Sequence, residues 1–264
     1  MRVEKPRSPL HALITRPPAD SEKVAATLGK EGIACMAEPM FHIRACMDAK
    51  KEWLKIAEEP IQALLFTSAN AVHAFAGHYS KRRGILVLTV GDNTANTALT
   101  YGFDHVIAAE GDVDSLEALV KKECTAKGGR IVYARGAVTI GNLTETLQKK
   151  GFSVTELVVY DAVPVAELSI PVQTALLQQT IDVALFYSPR SAILFENLVS
   201  DASLTRHTKP MHAFCMSKQV ADCFKNLKWK KVHVAQEPTN ASLIELVTQF
   251  QQTMAQSTHS PVKG

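Results

Sequence analysis

Two serines sit where a short apolar run breaks into a helical pattern: Ser68 in "ALLFTSANAVHAF" (63–75) and Ser188 in "ALFYSPRSAILF" (184–195). A hydroxyl beside the unpaired backbone N–H groups of a helix start suits an anion such as a carboxylate. The same serine also serves as an N-cap, worth about 1 kcal/mol, and both readings stay open. Other chemistry has little support. There is no G-x-x-x-x-G-K-[ST], no G-x-G-x-x-G and no G-x-S-x-G elbow. The nine histidines show no H-E-x-x-H or other metal spacing and read as surface or capping residues. Asp92, Glu110 and Glu237 read as surface or capping carboxylates. Chemistry here would rest on hydroxyls, backbone donors and positioning, which points to an intrinsically reactive substrate.

The elements that must hold these serines are alternating strands and helices. "HALIT", "IQALLF", "ILVLTV", "HVIAA", "RIVYA", "FSVTELVVY", "DVALFY", "MHAFCM" and "KVHVA" read as strands; helices are expected over 20–31, 69–79, 113–126, 139–150, 189–200 and 239–253. Short continuous apolar runs joined by helices indicate parallel strands covered on both faces, hence an α/β fold. The pattern repeats. "ITRPPADSEKVAATLGKEGI" (14–33) matches "YARGAVTIGNLTETLQKKGF" (133–152), with Arg16 opposite Arg135 at an offset of 119. "AAEGDVDSLEALV" (108–120) matches "AQEPTNASLIELV" (235–247). Four blocks in one order imply an internal duplication, and duplicated α/β domains are expected to bind their ligand in the cleft between them.

The 264 residues, with a formal charge of +3, fit a packed globular protein that favours an acidic small molecule. The dense basic cluster "SKRRG" (80–84) reads as a solvated loop, and sparse aromatics without a basic stripe argue against nucleic acid. No run is long enough for a membrane span, and "MRVEKPRSPLHALITRPP" does not resemble a signal peptide. Five scattered cysteines without C-x-x-C fit reduced thiols and a cytoplasmic location.

"FTSANAV" (66–72), "VGDNTA" (90–95), "LTETLQKKGFSVTELVVYDAV" (143–163), "FYSPRSA" (186–192) and "AQEPTNASLIEL" (235–246) together resemble the uroporphyrinogen-III synthase family over roughly residues 11–250. The resemblance implies two similar parallel-sheet α/β domains joined by a two-stranded antiparallel linker, with the ligand cleft between them. It implies a lyase of haem biosynthesis that closes the polycarboxylate hydroxymethylbilane into uroporphyrinogen III, inverting ring D and losing water. It further implies no cofactor or metal, a small-molecule substrate as the partner, and a monomer. One domain would comprise 1–38 with 165–264 and the other 42–162, with linker strands at about 38–44 ("EPMFHIR") and 158–164 ("VVYDAVP").

Carried over residue by residue, Tyr160 in "VVYDAV" matches the family's tyrosine and would protonate the departing hydroxyl; as a purely structural residue it would be an aromatic closing a strand. Thr67, Ser68 and Asn70 fall in the first wall and Ser188 in the second, while Gly91 and Thr94 fall in "VGDNTA". Gly91 would let backbone approach a carboxylate closely. Arg135 would add a cation or lie on the surface. The chain departs from the family at "MSKQVA" (216–221): Ser217 stands where glycine is usual, Gln219 and Val220 replace threonines, and Lys218 could reach a substrate carboxylate. That departure keeps a second reading open, a tetrapyrrole- or polyanion-binding protein without turnover; an unrelated organic-acid receptor is a third.

Overall fold

The computed structural model describes residues 9–78, 84–110, 113–139 and 141–257. Most of the basic cluster, Ser80 to Arg83, lies outside the described residues. The chain opens with β1 (His11–Ile14), α1 (Pro18–Lys30), β2 (Ala34–Ala37) and β3 (Phe41–Ala45). Then follow α2 (Ala49–Ile56), β4 (Ile61–Phe66), α3 (Ala69–His78), β5 (Leu86–Val90), α4 (Gly91–Thr100), β6 (His105–Ala109) and α5 (Val113–Glu123). The third stretch is β7 (Arg130–Gly136), α6 (Leu143–Lys149) and β8 (Val154–Pro164). The last comprises α7 (Ile170–Leu177), β9 (Val183–Phe186), α8 (Pro189–Asp201), β10 (His212–Cys215), α9 (Lys218–Ala221), β11 (Lys231–Val234) and α10 (Asn240–Ser257).

The strands form two sheets, and the fold is α/β, as the sequence pattern implies. One sheet runs β11-β10-β9-β1-β2, all parallel. The other runs β3-β8-β7-β4-β5-β6; the five strands from β8 to β6 are parallel. Its outer strand β3 runs antiparallel to β8, because Cys46 N–H donates to Val159 O (3.0 Å) and Val165 N–H donates to Met40 O (3.1 Å). Reading the first sheet as β11-β10-β9-β1-β2 and the second as β6-β5-β4-β7-β8 gives the same order twice, which is the duplication in three dimensions. The chain divides into two compact units, Met1–His42 with Pro164–Gly264, and Ile43–Val163. Thus β1 of the first repeat lies beside β9 of the second, and β7 of the second beside β4 of the first.

Each sheet is apolar on both faces because alternate residues point to opposite sides. In the first unit Leu13, Ala184, Phe186 and Ala213 face one core and Ile14, Val183, Leu185 and Phe214 the other. In the second unit Leu64, Phe66, Val132 and Leu157 face one core and Ala63, Leu65, Ile131 and Tyr133 the other. The sequence reading missed β2, α2, α4, α7 and α9. The stretch "GDNTANTALT" of α4 has few apolar residues, and packing of Thr94, Ala95 and Ala98 makes it a helix.

Not every histidine is a surface residue. His212 and His233 meet at 2.9 Å (Nδ1 to Nε2), and Phe214 stacks on the His233 ring at 4.5 Å. Phe250 of α10 packs against both rings. Burial pushes both imidazoles below their ordinary range, with Lys231 adding to it, and takes His233 to about 4. The unfolded chain therefore binds more protons between about pH 6.5 and 4, and stability falls as pH drops through that window.

Two outcomes follow. Melting temperature should fall between pH 7 and pH 5, and by less in His233→Phe than in the native protein; an equal fall would remove these imidazoles as the cause. Residues 43–163 expressed alone should melt cooperatively, whereas residues 1–127, which strand β1 from β9 and β4 from β7, should expose apolar surface and aggregate. Cooperative melting of 1–127 but not of 43–163 would contradict the exchanged pairing.

Candidate functional site

In the second unit β4 carries four buried residues, Ala63 to Phe66, to the point where the chain turns into α3. Ser68 caps that helix, its Oγ accepting from Ala71 N–H at 3.2 Å. The same Oγ lies 3.2 Å from the Tyr160 hydroxyl on β8. Next to it, Thr67 Oγ1 lies 3.1 Å from the Tyr133 hydroxyl on β7. Two tyrosine–hydroxyl pairs thus form at one strand-to-helix turn. Burial pushes the Tyr133 phenol above its ordinary range against the opposing pull of the Thr67 hydrogen bond and Arg135, which keeps it protonated.

Tyr160 is aimed by an irregularity in the ladder. Arg135 pairs with Val158 but Gly136 pairs with Tyr160, so Val159 is extra. Such a bulge re-aims the side chain beside it. Leu157 and Val159 both enter the core, and the Tyr160 ring packs at the margin of the same cluster. The ring occupies space that only glycine leaves free: a Cβ on Gly136 would lie 2.8 Å from Tyr160 Cζ.

Other expected site residues divide by surroundings. Asn70 stands in the first turn of α3, half-buried. Gly91 opens α4 with φ +69°, and nothing lies within 4 Å of where its Cβ would be. Its glycine is thus required by left-handed backbone and not by a crowding neighbour. Thr94 is buried in the first turn of α4. Arg135, expected to offer a cation or to lie on the surface, is committed elsewhere: Nε and Nη2 donate to Glu156 Oε2 (2.8 and 2.6 Å), and Nη1 donates to the carbonyls of Gly136 (2.8 Å) and Ala137 (3.2 Å).

In the first unit the strand-to-helix turn after β9 repeats the device. Ser188 caps α8, accepting from Ser191 N–H at 3.2 Å, and its Oγ lies 3.0 Å from Ser191 Oγ. At the neighbouring turn after β10, Ser217 caps the four-residue α9 through Val220 N–H at 3.4 Å. Lys218, expected to reach a carboxylate of the substrate, pairs with Asp222 one turn on, at 2.7 and 2.9 Å. Arg16, the repeat partner of Arg135, binds Asp20 at 2.5 Å and lies 4.7 Å over the Tyr187 ring. The Tyr187 hydroxyl is buried without a hydrogen-bond partner, and burial pushes its phenol far up.

Of the predicted residues, then, Thr67, Ser68 and Tyr160 are brought together; Ser188 and Ser217 stand on adjacent strand ends of the other sheet. Sequence reading missed Tyr133, Gly136 and Glu156. The repeat offset held one usable signal: Tyr133 and Tyr160 stand where the other copy has Ile14 and Phe41, so both added hydroxyls fall in one unit.

A cavity of about 290 Å³ opens between α5 and α6, lined by Asp114, Glu117, Asn142 and Thr146 among others. Hydrogen bonds from Lys121 and Lys150 hold the Glu117 carboxyl below its ordinary range. Charged carboxylates lining this cavity suit a polycarboxylate poorly, and no candidate residue lines it. Among the described residues no helix is long and apolar enough to cross a membrane, and no group of three or more His, Cys, Asp or Glu could hold a metal ion.

The family model described as uroporphyrinogen-III synthase HemD matches residues 22–245. The fold is similar to that of a mutant uroporphyrinogen III synthase from the extremely thermophilic bacterium Thermus thermophilus, with 17% identity, 94% of this chain and 99% of that chain covered, and a TM-score of 0.52. It is also similar to uroporphyrinogen-III synthetase from Helicobacter pylori, with 14% identity, 91% and 99% coverage, and a TM-score of 0.58. No curated protein sequence matches the chain.

The packing of Tyr160 on Gly136 predicts unequal costs for two alanine substitutions. Gly91→Ala should cost about 1 kcal/mol, from left-handed backbone alone. Gly136→Ala should cost about 2–3 kcal/mol by forcing the Tyr160 ring aside. Denaturant unfolding of both variants measures this, and the reverse order would contradict the packing.

Proposed function

The chain belongs to the uroporphyrinogen-III synthase HemD family, and on that premise we propose that it cyclises hydroxymethylbilane to uroporphyrinogen III, as a lyase that inverts ring D and releases water. The observation that carries this reading is the Tyr160–Ser68 hydroxyl pair at the start of α3, inside the span the family model matches.

The chemistry asks little of the protein beyond position. The hydroxyl of the substrate's hydroxymethyl group leaves as water once it is protonated; the methylene carbon stays on its pyrrole, whose N–H proton is lost, giving an electrophilic azafulvene. Uncatalysed closure at the free end of ring D gives the isomer without inversion. The protein must favour attack from the substituted carbon of ring D, which forms a spiro intermediate that then reopens and closes inverted. Holding reacting carbons in that geometry supplies most of the rate.

Tyr160 acts as the acid. Ser68 Oγ already accepts from Ala71 N–H. If Ser68 donates its own proton to the phenol oxygen, the Tyr160 proton is free to turn towards the leaving hydroxyl. Thr67, Asn70 and the first-turn amides of α3 and α4, with Gly91 and Thr94, receive substrate carboxylates. Ser188 and Ser217, with Lys218 if it leaves Asp222, do the same on their own strand ends.

Purified protein given freshly made hydroxymethylbilane, without added metal or nucleotide, should yield the type III isomer well above the type I background. Tyr160→Phe should lower turnover about 10-fold or more, in keeping with loss of a general acid, with its far-UV spectrum unchanged. Type I product alone, accompanied by tight binding, would favour the binding-protein reading that the altered "MSKQVA" turn raises. A near-native rate in Tyr160→Phe would return that tyrosine to a packing role.

A further inference from the structure

Tyr160 is held on two sides by the residues that end β7. Ala137 N–H donates to Tyr160 O at 2.8 Å, and Gly136 gives the ring its seat. This is also where the ladder breaks register, between Arg135 and Gly136. A bulge locally disrupts the regular strand hydrogen bonds, so something else must fix Gly136 and Ala137.

Arg135 does so. One nitrogen of its guanidinium holds both carbonyls, while the other two grip Glu156 Oε2. The remaining Glu156 oxygen accepts from Thr144 Oγ1, on the first turn of α6, at 2.5 Å. Contacts therefore run without a gap from α6 through Glu156 and Arg135 to Gly136 and Ala137, and so to Tyr160. The repeat supplies the contrast. Arg16, at the matching position, forms its ion pair with Asp20 in the first turn of α1 and, among the described residues, none with a neighbouring strand, where it only lies over the Tyr187 ring, and Phe41 replaces the tyrosine. The half without the reactive hydroxyl lacks the cross-strand pair.

We propose that Thr144, Glu156 and Arg135 form a brace whose work is to position Tyr160, which makes Arg135 a positioning residue in place of a substrate-binding cation. The inference rests on the catalytic reading of Tyr160 given above. The side chains of Arg135 and Glu156 are 17% and 35% exposed, and pairs so near solvent contribute little to global stability. Geometry is what the brace supplies: the planar guanidinium makes four hydrogen bonds in fixed directions, whereas an ammonium has three donors and no fixed plane.

Glu156→Gln keeps the shape and removes the charge. Its kcat should fall about 10-fold, since a misplacement of under 1 Å suffices for that. KM should stay within about twofold, because no group that binds substrate is lost. In the substrate-free protein the Ala137 amide should exchange with solvent faster, while Tm stays near the native value. Arg135→Lys should behave likewise. Unchanged Ala137 exchange, or faster exchange with native kcat, would overturn the brace. A raised KM with native kcat in Arg135→Lys would overturn it in favour of a substrate contact. Tyr160→Phe is assayed beside them. Loss there with native kcat in Glu156→Gln removes the brace alone, whereas native turnover in Tyr160→Phe removes the catalytic reading and the brace with it.

Discussion

The contact on which the site depends is the seating of the Tyr160 ring on Gly136 with its hydroxyl at Ser68. A phenol at a strand end ordinarily has several rotamers open to it. Here a missing Cβ fixes the ring's depth, an extra residue in β8 fixes its direction, and the cap of α3 fixes its hydroxyl. Each constraint comes from a different element, so the hydroxyl is placed by the fold and not by its own preferences. A reaction whose outcome turns on which carbon of a reactive intermediate is attacked needs that kind of fixity more than it needs an unusually strong acid.

Duplication explains how such a site arises from common parts. Both sheets have the same strand order, and both place a serine cap where the central strand enters its helix. These caps cost nothing functionally, since any helix benefits from one. The copies differ in what faces the cap. The second unit has Tyr133 and Tyr160 where the first has Ile14 and Phe41, and its arginine pairs with Glu156 of the neighbouring strand where Arg16 pairs with Asp20 four residues on and lies over the Tyr187 ring. The tyrosine–hydroxyl pairs are thus concentrated on one copy of a repeated scaffold, and the other copy keeps only the serine caps.

The sequence made the central strands legible because runs such as "ALLF" of β4 and "VALF" of β9 are apolar without a break and buried on both faces. It made the repeat legible because strand-to-helix turns need a capping residue at a fixed place. It hid α4 because a helix of Thr, Asn and Ala has no amphipathic stripe, and β2 because "ACMA" is too short to show a period. The Ser68–Tyr160 pair spans 92 positions and Arg135–Glu156 spans 21. No local spacing encodes either; both follow from β8 lying beside β7 in a particular register, with one residue out of step. The His212–His233 contact was hidden for the same reason, since β10 and β11 must first be paired.

The most direct test of where the chemistry sits is a crystal structure of the protein with uroporphyrinogen III, or its oxidised porphyrin, bound. The Tyr160 hydroxyl should lie within hydrogen-bond distance of the ligand, with a ligand carboxylate on the first-turn amides of α3 beside Ser68. A macrocycle bound away from the β4–α3 turn, with Tyr160 touching only protein, would contradict this placement.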